Sequence, residues 1–174
     1  MTAQSGATTA VSPVPGTDTA RLFQEGIVAG VLAAVTVAVW FFVLDTLQGR
    51  PFYTPTVLGT ALFGRGASLA PLESMPPSLE MVLMFTWVHG LAFAAIGGIV
   101  SRLLGMVERH PGVGFGILLL FVILEFGFTV AAMIFAAPVL KVLTWPAVLV
   151  ANLLAAAAMA GYFRLRHPRL SVSP

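Results

Sequence analysis

The chain has 174 residues, of which 58% are hydrophobic and 9% charged, against about 25% charged in an ordinary soluble domain. That balance places it among integral membrane proteins. Its nine Lys and Arg against seven Asp and Glu are scattered at the ends of apolar runs, which excludes the basic runs with interleaved aromatics of a nucleic-acid binder. The absence of cysteine excludes disulfides, thiolate-held zinc, iron–sulfur clusters and thiol catalysis.

Residues 1–20 are Thr, Ala, Ser, Pro and Gly with the single charge of Asp18, and they show no apolar period. They are expected to form a disordered N-terminal tail. No basic segment precedes a short apolar core there, so the first apolar run, Gly26 to Leu44, reads as a retained span and not as a signal peptide.

Three further runs follow: Met81 to Ser101, Pro111 to Leu140 with Glu125 in its middle, and Val142 to Phe163. Each supplies the roughly 20 residues needed to cross about 30 Å of hydrocarbon. The expected fold is all-α, a four-helix transmembrane bundle over residues 21–169, with spans near 24–46, 79–104, 112–137 and 144–163 and a C-terminal tail, 170–174. Ser78 before Leu79-Glu80 offers an N-cap with an acid in the first turn, and Thr144 before Trp145-Pro146 places a proline where no amide is missed.

Charge sets the orientation. With the N-terminus inside, the inner segments hold Arg21, Arg102, Arg109, Arg164, Arg166 and Arg169, and the outer ones hold Arg50, Arg65 and Lys141. The excess favours N-in and C-in, with Tyr53 and Trp145 at the outer interface and Tyr162 at the inner one. Small residues recur every fourth position at Gly26, Gly30, Ala34 and Ala38, at Gly90, Ala94 and Gly98, and at Ala147, Ala151 and Ala155. Such stripes let helix backbones approach closely where lipid supplies no hydrophobic force between them.

One loop is long, Thr46 to Pro77 on the outer side. It holds a short interfacial helix, Thr56 to Phe63, which Thr54-Pro55 can cap. Asp45 continues the small-residue face of the first helix and is expected to cap or to pair with Arg50, so that Asp45, Arg50 and Thr54 anchor the loop. The string Trp40-Phe-Phe-Val-Leu-Asp45-Thr-Leu-Gln-Gly49-Arg-Pro51-Phe-Tyr-Thr54-Pro55-Thr-Val-Leu58-Gly59 resembles the end of the first span in a group of uncharacterised bacterial four-helix membrane proteins. The resemblance covers this stretch and the helix count. It implies a bacterial cytoplasmic (inner) membrane, multi-pass, and brings no catalytic residue with it.

His89, Glu125 and Asn152, on three different spans, all fall near mid-membrane depth at about 1.5 Å per residue. A charge at that depth costs roughly 2.5 to 3.5 kcal/mol on insertion scales. Two uses compete: an interhelical clamp, with a protonated Glu125 donating to Asn152 or His89, or a proton path through His89 and Glu125. No phosphate loop, nucleophile elbow or paired-histidine motif is present.

No cofactor or metal is expected. A haem would lack a second imidazole beside His89, and a quinone or pigment contact among Trp87, His89 and Phe93 stays open, although such clusters are usually packing. His110 and His167 could share a metal at the inner surface, but read more simply as solvated helix ends. The expected partners are the lipid bilayer and other membrane subunits or further copies of the chain. The expected role is a non-catalytic accessory or scaffolding subunit of a larger bacterial membrane complex, with an energy-transducing one, respiratory or photosynthetic, as a candidate. The alternative is a small oligomeric proton-linked transporter or channel using His89 and Glu125.

Overall fold

The computed structural model describes residues 15–64, 75–107 and 143–166. Among them are four helices: α1, Pro15–Leu47; α2, Tyr53–Phe63; α3, Leu79–Val107; and α4, Trp145–Arg166. Three are long and apolar enough to cross a membrane, over Ala20–Leu47, Leu79–Arg102 and Trp145–Arg166. The expected span 112–137 with Glu125, and both His110 and His167, lie outside the described residues.

α1 begins at Pro15, inside the stretch expected to be a tail. Proline suits a helix's first position, because its missing amide would have no partner there. At the other end the helix stops by a Schellman arrangement: the Gly49 amide donates to the Thr46 carbonyl at 2.9 Å and the Arg50 amide to the Asp45 carbonyl at 2.9 Å. Gly49 sits at φ +70°, a conformation that glycine adopts without a Cβ clash.

α1 is the axis of the assembly, with α3 and α4 each packed against it and α2 resting chiefly on α3. The α1–α3 crossing is made by glycine. A Cβ on Gly26 would strike the Gly97 carbonyl, one on Gly30 the Phe93 carbonyl, and one on Gly97 the Gly26 carbonyl. These pairings run antiparallel, so the start of α1 lies beside the end of α3.

The contact face of α3 on α1 therefore runs through Phe93, Ala94, Gly97 and Ser101, and of the expected row of Gly90, Ala94 and Gly98 the last two meet α1. A Cβ on Gly90 would meet nothing within 4 Å among the described residues, and Gly98 lies under the Phe23 ring. Gly97 and Gly98 are one residue apart, about 100° around a helix of 3.6 residues per turn, so only one of them can enter a given groove.

α4 meets α1 through its alanine row. Ala151 and Ala155 are buried in one cluster with Ala33 and Val37, bordered by Trp40, Phe93 and Met159. The Trp40 indole N–H donates to the Ala147 carbonyl at 3.0 Å, which satisfies a polar edge that lipid could not. Threonine hydroxyls on the spans are satisfied locally: Thr36 donates to Leu32, Thr46 to Phe42 and Thr86 to Val82, each to the carbonyl one turn back. Outward faces carry large apolar side chains, among them Val35, Leu83, Trp87 and Leu153.

α2, the helix of the long loop, buries Tyr53, Thr54, Thr56, Val57 and Gly59. A Cβ on Gly59 would strike the Met81 carbonyl of α3, so this short helix is held by the same kind of close approach as the spans. Its Thr56 hydroxyl accepts from the Ser78 amide at 3.3 Å, and the Ser78 hydroxyl in turn accepts from the Met81 amide at 3.4 Å, as an N-cap does.

Candidate functional site

The best-defined polar constellation is where α1 hands over to α2. Asp45 is 3% exposed, and both oxygens of its carboxylate are engaged by Thr54: the Thr54 amide donates to Oδ2 at 2.7 Å and the Thr54 hydroxyl donates to Oδ1 at 2.7 Å. Thr54 is the second residue of α2, and the residue before the helix, Phe52, makes no side-chain cap. Asp45 thus supplies from nine residues upstream the capping acceptor that α2 lacks locally, and its negative charge faces the positive end of the helix dipole.

Of the three residues expected to anchor the loop, Asp45 acts as a cap and takes Thr54, and the Arg50 amide donates to the Asp45 backbone carbonyl. Thr54 is the capped residue and not the cap. The Arg50 guanidinium lies over the Tyr53 ring, 4.1 Å from its centroid, a cation–π contact. Phe52 holds φ 66°, unusual for a bulky residue, with its ring 5.1 Å from that of Phe42.

Deeper in the bundle, His89 of α3 reaches across to α1, its Nε2 lying 3.2 Å from the Ala34 carbonyl oxygen. A carbonyl only accepts, so this contact places the proton on Nε2. The ring sits between Phe85 and Phe93, at centroid distances of 5.6 and 4.7 Å. Asn152, half-buried, follows Ala151, which packs on Ala33 and Val37. His89 and Asn152 therefore come to the same level of α1 from two different helices.

A second polar cluster was not anticipated. Glu25 is 6% exposed and accepts from Arg21 Nε at 3.4 Å, and it lines one cavity with Arg166 of α4. The same cavity also meets Gln24 and Tyr162. The legible signal was the i, i+4 spacing of Arg21 and Glu25; its partners on α4, some 140 residues away in sequence, carry no such mark. Among the described residues, no group of three or more His, Asp or Glu is placed to hold a metal ion.

Fold and site together define an all-helical protein with three helices long and apolar enough to cross a membrane, in which Trp40, Asp45 and His89 tie one helix to another. Set against protein families, curated proteins and solved structures, the chain matches none.

Proposed function

We propose that the chain is a non-catalytic accessory or scaffolding subunit of a larger complex in a bacterial cytoplasmic membrane, with both ends of the bundle's chain inside. The observation that carries this reading is the use made of His89. Its Nε2–H is spent on the Ala34 backbone carbonyl, between two phenylalanine rings, as an interhelical clamp. Asp45 and the Trp40 indole are committed to structure in the same way. The inward orientation rests on Arg21, Arg102, Arg164 and Arg166, which the antiparallel packing gathers at one end. An energy-transducing assembly is the candidate host.

The test is extraction in a mild detergent followed by native sizing and mass spectrometry of what comes with the chain. Co-purification of defined membrane subunits is expected; a stable monomer with no co-purifying partner, in every detergent and in nanodiscs, would overturn the reading. Liposomes loaded with a pH-sensitive dye address the transporter alternative. The accessory reading predicts no protein-dependent proton flux, whereas a flux that disappears in Glu125→Gln would replace it with a proton path.

A further inference from the structure

At the end of the bundle where α1 begins and α4 finishes, a cavity of about 500 Å³ is walled by Arg21, Gln24, Glu25 and Val28 on one side and by Tyr162 and Arg166 on the other. Arg21 is the second residue of the first apolar span and Arg166 the last of the third, so both guanidiniums stand at headgroup depth. Val28, two turns deeper on α1, is half-exposed and apolar. Glu25 engages Arg21 through Nε, which leaves the Nη donors of Arg21 for an outside acceptor. The Arg166 guanidinium is exposed, lies 6.0 Å from the Tyr162 ring and lines the same cavity.

Among the described residues that line the cavity, two guanidiniums stand against one carboxylate, an excess of one positive charge. A phosphodiester supplies one negative charge with two oxygens, the geometry that forked Arg donors meet best. We propose that this cavity seats the phosphate headgroup of a membrane lipid, the phosphate between Arg21 and Arg166 and the acyl chain along Val28. Glu25 holds the Arg21 side chain in place and keeps the seat from taking more than one phosphate charge. A headgroup without a cation of its own satisfies the excess charge better than a choline headgroup, which brings a second positive charge. This seat does not depend on the accessory role proposed above, since a transporter would carry it equally.

Full-length protein, purified in a mild detergent and depleted of lipid, is titrated with dihexanoyl phosphatidylglycerol, with dihexanoyl phosphatidylcholine and with inorganic phosphate, and bound ligand is followed by native mass spectrometry and calorimetry. Phosphatidylglycerol is expected to bind saturably and more tightly than the choline lipid. Arg21→Gln/Arg166→Gln should weaken it by about tenfold or more, the loss expected of charge-assisted hydrogen bonds. Arg102→Gln, an exposed position at the same end but off the cavity, should change it by less than about twofold, as a screened surface charge does. Arg21→Gln alone, at a side chain 76% exposed, keeps the test valid if the double variant does not fold. Inorganic phosphate binding as tightly as the lipid would reassign the seat to a soluble phosphate compound and overturn the lipid. Equal binding by wild type and the Arg21 variants, or equal loss in Arg102→Gln, would overturn the site.

Discussion

The carboxylate of Asp45 closes on Thr54 with both oxygens, taking the amide and the hydroxyl of one residue at 2.7 Å each. Its backbone carbonyl meanwhile takes the Arg50 amide at the end of α1. One residue therefore ends one helix and starts the next. Asp45→Ala removes the carboxylate from a buried site and leaves the Thr54 amide without its acceptor, at a cost of about 1 to 3 kcal/mol. Asp45→Asn keeps hydrogen-bonding atoms and loses the charge at the helix start, costing less, about 0.3 to 1 kcal/mol. Thermal unfolding of the purified protein in detergent reads both; a wild-type melting temperature for Asp45→Ala would mean that the cap is not made in the membrane protein.

The glycines predict an asymmetric series. Gly30→Ala and Gly97→Ala each drive a Cβ into a backbone carbonyl of the facing helix, which cannot swing away as a side chain would. Each is expected to cost about 1 to 3 kcal/mol, the range for overpacking a close contact. Gly90→Ala meets nothing within 4 Å among the described residues and should be neutral or stabilising, by up to about 1 kcal/mol from helix propensity. The same melting experiment checks the order, and a Gly90 variant as unstable as the Gly30 one would refute the α1–α3 register.

Replacing His89 separates a clamp from a relay. The Ala34 carbonyl belongs to a helix and keeps an intrahelical donor after the imidazole is gone, so His89→Phe orphans nothing there. The expected cost is small, about 0.6 kcal/mol and below 2. Activity of any host complex should survive it. Loss of function in His89→Phe with an unchanged melting temperature would point instead to a proton or ligand handled by the ring.

Trp40 offers the matching test on the α4 side. Trp40→Phe removes the N–H that donates to the Ala147 carbonyl at 3.0 Å and leaves most of the ring area. A cost of about 0.5 to 1.5 kcal/mol is expected. Because Trp40 and Gly30 act on different neighbours of α1, the double variant should be additive within about 0.5 kcal/mol, and strong coupling between them would show that α3 and α4 do not pack on α1 independently.

What the sequence by itself determined about this protein is what depends on one dimension. The spans follow from apolar length between charges, and three of the four expected ones, together with the short helix before α3, stand among the described residues. Ser78 at the start of α3 was legible because capping is read from a few adjacent residues. Tertiary structure alone decided which side of each helix meets which neighbour. In lipid every face of a span is apolar, so hydrophobic patterning does not mark the buried side as it does in water. Gly97 against the Gly26 carbonyl and Gly98 under the Phe23 ring, Thr54 on the Asp45 carboxylate, Ala34 opposite His89, and Arg166 on the same cavity as Glu25 are all matters of rotation about helix axes and of contacts between distant segments. Close packing selects these angles, because the backbones approach only where a glycine or alanine leaves room and a buried polar group settles only where it finds an acceptor or donor.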